Sequence, residues 1–267
     1  MQTDIEKFQL SAAAAEMYES TFVPALFAEW APLLVGVARV APGQAVLDVA
    51  CGTGIVARVA ADAQRGDGRV VGVDLNPAML GVARRVRPEI DWREGDAASL
   101  PFPDDSFDVV LCQMALMFFP DRVRALREMA RVVTERGTVG LVVPAALPAQ
   151  PAYAPFVEMV ARHAGPDALS LLGAYFACGD PDELGRWIEA AGLRVAARRT
   201  HRGHVKCPSI DAFVATEVES TPLRERMSDD VYARIRDDAR AVLRPFVVPG
   251  GAAEIPLEGH LVTAARG

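Results

Sequence analysis

The chain has 267 residues, 51% of them hydrophobic, and a net charge of −7. That length suits one large α/β domain or a domain with a sizeable insertion, and the apolar content excludes wholesale disorder. The acidic balance argues against a general nucleic-acid binder, which needs clustered Lys and Arg to neutralise phosphates.

Cys51, Cys112, Cys178 and Cys207 are scattered, with no CxxC pair and no metal-ligand spacing. Buried free thiols in a reducing compartment are expected, and no metal. The opening MQTDIEKFQLS carries acids and lacks the basic-then-apolar order of a signal peptide. No apolar stretch is expected to span a bilayer, so the expectation is a cytoplasmic protein without a membrane span. The excess of Arg over Lys, with abundant Ala and Val, reads as a high-GC bacterial coding bias.

In chain order, residues 9–38 hold two helix-like stretches separated near Pro24, the second with Leu26, Phe27, Trp30, Leu33 and Leu34 at helical spacing. Pro42-Gly43 precedes a first strand at about 45–50. A helix over 55–63, a turn at 65–68 and a second strand over 69–74 follow. Asn76-Pro77 opens the next helix, since Asn caps well and Pro is tolerated in a first turn. Residues 90–94 form a short third strand and 107–113 a nearly all-apolar fourth, as a parallel strand buried on both faces should be. A helix over 122–133 leads to a fifth strand over 138–143.

Strand and helix alternate to this point, which predicts a doubly wound, mostly parallel sheet, α/β in class. After Pro144 the pattern turns helical, punctuated by Pro148, Pro151 and Pro155. Helix 181–191, strand 193–205, helical 208–245 and a short strand over 260–265 complete the chain. The domain reading is N-terminal cap helices over 1–40 and a cofactor-binding core over 41–146. A helical cap insertion over 147–180, a core helix and strand over 181–207, a second cap insertion over 208–246 and a last core strand in 247–267 follow.

The most informative motif is VLDVACGTG at 46–54, with Asp74 about twenty residues beyond Gly54. An apolar strand turns into a helix through Gly52-Thr53-Gly54, where glycine allows positive φ and close approach of a ligand. Asp74 ends the next apolar run, where a carboxylate can accept two hydrogen bonds from a ribose diol. This predicts a nucleoside pocket.

The same residues fit a relaxed dinucleotide fingerprint. Three features point away from NAD: Asp48 inside the strand, a further polar site at Gly95-Asp96-Ala97, and no second mononucleotide half or Tyr-x-x-x-Lys pair. VLDVACGTG, VVGVDLNPAML, EGDAASLPFPDDSFDVVLC and REMARVVTERGTVGLVV resemble the successive motifs of class I S-adenosylmethionine-dependent methyltransferases, a Rossmann-like family. The similarity is to the ubiquinone/menaquinone-biosynthesis type and covers about residues 45–143. Tyr18 with Val23-Pro24-Ala25-Leu26-Phe27 resembles the lead-in helices of this group. Thr134-Glu135-Arg136-Gly137 stands where many relatives have a Lys-Pro-Gly-Gly turn, a departure expected to alter only a loop.

The resemblance implies S-adenosylmethionine as cofactor. Gly52 and Gly54, beside Ala50, would pass close to its methionine and ribose part. Asp48 would order the glycine loop, and Asp74 would hold the ribose hydroxyls. Leu75 and Met79 would pack on the adenine, Asp96 and Ala97 would read its edge, Gln113 would sit below the methionyl group, and Tyr18 could close over the cofactor.

Methyl transfer from a sulfonium is an in-line displacement with a neutral leaving group, so the protein mainly aligns donor and acceptor and excludes water. A base helps only where the acceptor must lose a proton. His163, His201, His204, His260 and Tyr18 are the candidates, and none is assigned. The basic run at 198–206 reads as a charged strand edge that blocks edge pairing, or as a contact for a carboxylated or phosphorylated substrate. The expected partner is a small, apolar or aromatic methyl acceptor, with a homodimer compatible and no nucleic acid. A nicotinamide-dependent oxidoreductase and a methyltransferase-like binding protein without turnover are the alternatives.

Overall fold

The computed structural model describes residues 11–219, 221 and 223–267. The signal-peptide reading of the opening residues falls on 1–10 and lies outside the described residues.

Seven strands form one sheet in the order β3-β2-β1-β4-β5-β7-β6. They are β1 Ala45–Val49, β2 Arg69–Asp74, β3 Asp91–Glu94, β4 Phe107–Gln113, β5 Val133–Pro144, β6 Leu193–Cys207 and β7 Ala253–Arg266. The β1–β2, β1–β4, β2–β3 and β4–β5 pairings are parallel. From Gly192 to Thr200 the contacts climb β6 while they descend β7 from Gly267 to His260, so that pair is antiparallel.

The chain divides into two units. The first comprises residues 1–143, 181–200 and 260–267, the second 144–180 and 201–259. In the first, Leu47, Phe107, Leu111 and Leu141 are buried strand residues of the core. The helices α3 Ile55–Gln64, α4 Pro77–Val86, α5 Arg122–Val132 and α8 Pro181–Ala190 belong to it. The second is built on α6 Tyr153–Ala164, α7 Asp167–Gly173, α9 Ile210–Glu219 and α10 Asp229–Val242, with Phe156 and Phe213 packed edge-to-face at 5.2 Å.

Four local expectations are corrected. Near Pro24 the chain does not break: α1 Ala12–Met17, a π-helical stretch Tyr18–Phe27 and α2 Ala28–Val37 run on continuously. Proline lacks the N–H that a helix interior needs, and here it falls within the wider i→i+5 winding. The resulting segment Ala12–Val37, 26 residues, is long and apolar enough by length and composition to cross a membrane, against the expectation that no such stretch exists. Its Trp30, Ala31 and Leu34 are nevertheless fully buried in the first unit. Residues 134–137, read as a loop, lie inside β5, where the register moves from Phe107↔Val133 to Val109↔Thr138 and leaves a bulge. The last strand is longer than expected because Pro256 and Gly259 interrupt its apolar pattern without ending its pairing.

Candidate functional site

β1, β2 and β4 end side by side, and the loops leaving them carry the residues singled out above. After Val49, Ala50 takes φ 55, Gly52 φ 56 and Gly54 φ 91. Gly54 serves as N-cap of α3, so this left-handed path turns the strand straight into the helix. A Cβ on Gly54 would stand 2.2 Å from the Trp92 ring, which leaves glycine the only residue that fits.

Asp74 ties the loops together. Its Oδ2 accepts the Gly52 N–H at 2.8 Å and its Oδ1 accepts the Asn76 N–H at 2.8 Å. Burial raises its pKa, opposed by the hydrogen bonds from Asn76, Gly52 and Leu75. Each oxygen keeps acceptor capacity for a ligand hydroxyl. Asn76 caps α4 by accepting from Ala78 N at 2.8 Å.

Asp48 is 2% exposed, and its Oδ2 accepts the Ala57 N–H in the first turn of α3 at 2.9 Å rather than a glycine N–H of the loop. Burial first, then the charge of Asp74, pushes its pKa from 3.8 to about 8.

Leu75 is 53% exposed, a large apolar side chain open to a ligand, while Met79 is buried against Ala15 and Val82. Gly95 donates to Asp74 O at 3.0 Å, which places Asp96 and Ala97 beside the end of β2. Asp96 Oδ1 accepts the Ala98 N–H at 2.8 Å. Gln113 ends β4 and donates from Nε2 to Phe27 O at 3.2 Å. The Tyr18 ring lies 3.7 Å from the position a Cβ on Gly52 would occupy.

All eleven predicted residues therefore lie on β1, β2, β4, the segments leaving β1, β2 and β3, or the N-terminal helical segment packed against them. Sequence reasoning missed Thr53. Its hydroxyl is buried without a partner, as is Gln113 Oε1. Its place between two glycines was the available signal. Met114, at φ 49 directly after β4, gave none. His163 pairs with Asp238 at 2.7 Å in the second unit, and in the first unit His260 meets Thr200 Oγ1 through Nδ1 at 3.0 Å. β6 is the last strand in the sheet order, which matches the edge reading of the basic run, and Arg202 there is paired with Glu258.

An acidic acceptor between two strand ends, a left-handed glycine turn, an exposed Leu and two orphaned buried polar atoms thus stand together where β1, β2 and β4 of the α/β sheet end. A methyltransferase-domain family model matches residues 47–141. The demethylmenaquinone methyltransferase of Renibacterium salmoninarum is 35% identical over 188 residues, covering 65% of this chain and 76% of that protein. The 2-phytyl-1,4-naphtoquinone methyltransferase of Synechococcus elongatus is 39% identical over 110 residues, 39% of this chain and 47% of that protein. Among solved structures, a Bacillus halodurans protein described as a methyltransferase superposes with a TM-score of 0.61 at 22% identity, over 88% of this chain and 97% of that one. A Haemonchus contortus phosphoethanolamine N-methyltransferase solved with S-adenosylhomocysteine gives 0.60 at 17% identity, over 98% and 59%.

The chain belongs to the class I S-adenosylmethionine-dependent methyltransferases, of the quinone-biosynthesis type. It is an enzyme that uses S-adenosylmethionine to methylate a small molecule. Nothing in these likenesses supports the nicotinamide or turnover-free alternatives.

Proposed function

We propose that the chain methylates a hydroxylated, quinol-like aromatic acceptor, and that the residues around Asp74 hold the methyl donor. The acceptor class is supported by the demethylmenaquinone and phytyl-naphthoquinone methyltransferases among its relatives. The observation that carries the donor site is the Asp74 carboxylate fixed by two backbone N–H groups at the mouth between β1 and β2.

In this reading Asp74 accepts from the ribose hydroxyls, a charge-assisted pairing. Leu75 and Met79 pack on the adenine, whose edge meets Asp96 and Ala97. Gln113 Oε1 and Thr53 Oγ1 gain partners on the methionyl part, which removes the cost of leaving them unpaired. Ala50, Gly52 and Gly54 admit that part close to the backbone, and Tyr18 covers it. Asp48 acts through α3, holding the helix turn that follows the glycine loop.

When bound, the cofactor supplies a sulfonium-activated methyl group. The chain contributes binding, orientation and exclusion of water, effects large enough without a covalent partner. The buried free thiols Cys51, Cys112, Cys178 and Cys207 support a reducing, cytoplasmic setting.

The test is incubation of the purified protein with methyl-labelled S-adenosylmethionine and either a reduced hydroxynaphthoquinone or its fully O-methylated analogue. Label should enter the first only. Transfer to neither, by a protein that binds S-adenosylhomocysteine, would reject the acceptor class and leave the donor site standing.

A further inference from the structure

Glu19 follows Tyr18 directly and receives two hydrogen bonds from Arg58, Nη1 to Oε1 at 2.7 Å and Nη2 to Oε2 at 3.2 Å. The side chains are 12% and 18% exposed for Arg58 and Glu19. Arg58 Nε is buried with no acceptor. A largely buried pair forfeits much hydration, so it is a poor general stabiliser. What a bidentate fork supplies is fixed geometry.

Arg58 lies in the first turn of α3, and its own N–H donates to Gly54 O at 2.9 Å. The turn that closes the glycine loop therefore carries the cation that grips Glu19. At the other end of the π-helical stretch, Gln113 Nε2 holds Phe27 O at 3.2 Å. The stretch Tyr18–Phe27 is thus pinned at both ends to elements that build the cofactor site.

Its winding matters. Tyr18 and Phe27 stand nine positions apart, and at about 3.6 residues per turn an α-helix would set them on opposite faces. The i→i+5 winding, at about 4.4 residues per turn, returns them to one face. Their rings stack at 5.2 Å with planes 27° apart, and Phe22 stacks on Tyr18 at 5.9 Å. That stack is the wall standing against Gly52.

We propose that Glu19 and Arg58 are positioning residues for cofactor retention: their paired hydrogen bonds fix the π-helical register that sets Tyr18 against the glycine loop. The proposal rests on Tyr18 being a cofactor contact, as read above. Loss of the pair frees the wall without touching the ribose grip, so the cofactor leaves faster while its site remains formed.

The test uses the whole chain with S-adenosylhomocysteine as probe, calorimetry for affinity and stopped-flow fluorescence for release. Arg58→Met should raise Kd about tenfold, mostly through a faster off-rate. The exchanged pair Glu19→Arg with Arg58→Glu should return Kd to within about threefold of wild type. In a Tyr18→Ala background, Arg58→Met should add less than about twofold, because coupled residues do not act additively.

A general loss of stability would weaken both backgrounds alike, and equal losses would overturn the proposal, as would an unchanged Kd for Arg58→Met. Should Arg58→Met fail to fold, Arg58→Lys decides the matter: it keeps the charge but not the fork, and a wild-type Kd would contradict the proposal. If Tyr18→Ala binds as tightly as wild type while Asp74→Ala does not, this proposal falls and the ribose grip stands. If Asp74→Ala also binds normally, the donor-site reading itself fails.

Discussion

Gly52 donates its N–H to Asp74 Oδ2 at 2.8 Å, and this bond ties the loop after β1 to the end of β2. The same carboxylate takes the Asn76 N–H on its other oxygen, so one side chain orders two loops and faces the ligand. Asp74→Ala should weaken S-adenosylhomocysteine binding by about 1.5–3 kcal/mol, at least roughly tenfold, as charge-assisted hydrogen bonds are lost. Titration calorimetry reads this directly, and an unchanged Kd would reject the ribose role.

Leu75 spends its apolar surface on solvent in the absence of a ligand. Leu75→Ser should therefore leave the melting temperature almost unmoved. It should raise the Kd for the homocysteine product by up to about tenfold, the equivalent of burying part of one Leu side chain. A large drop in melting temperature with unaltered binding would instead make Leu75 a structural residue.

Gly54 and Gly72 both press on Trp92, but in different ways. A Cβ on Gly72 would meet the ring at 2.4 Å with an ordinary φ, whereas Gly54 adds φ 91 to a 2.2 Å clash. Gly72→Ala should cost about 1–3 kcal/mol from overpacking. Trimming the ring with Trp92→Leu should recover part of that loss. Gly54→Ala should cost roughly 3 kcal/mol or more, and the same second change should recover only the overpacking part of it, because backbone strain persists. Denaturant melts of the four variants separate the two contributions.

Tyr153 donates to Glu217 Oε1 at 3.0 Å within an aromatic cluster of Phe156, Phe176 and Phe213. Burial pushes the Glu217 pKa from 4.5 to about 7, opposed by the Tyr153 hydroxyl. Between those values the folded chain keeps a proton that the unfolded chain has released, so this contribution to stability is lost as pH rises through the window. Wild type should lose stability relative to Glu217→Gln from pH 4.5 to about pH 7 and show a constant difference above it. Tyr153→Phe should move the upper end of the window higher. Thermal melts across pH provide the measurement, and a pH-independent difference would contradict the shift.

The sheet was legible because parallel strands buried on both faces leave apolar runs bracketed by Gly, Asp and Pro, as at β1, β2 and β4. The glycine loop, Asp74 and the polar turn after β3 were legible for the same reason, since the turn chemistry is local. Long-range relations were not. Glu19 and Arg58 are 39 positions apart and Tyr153 and Glu217 64 apart, and nothing in either local pattern announces the partner. The π-helical stretch was hidden too, because Pro24 looked like a break and an i→i+5 winding has no apolar period that a reader of α-helices would follow. Asp48 was placed correctly on β1, yet its bond to Ala57 N depends on how α3 folds back over the strand.

The most direct test of the central claim is calorimetric titration of the wild-type chain with S-adenosylhomocysteine, with NADH as the parallel ligand. The account predicts single-site binding of the first and none of the second. Absence of binding heat for S-adenosylhomocysteine up to about millimolar concentration, the weak limit of specific affinity, would contradict it.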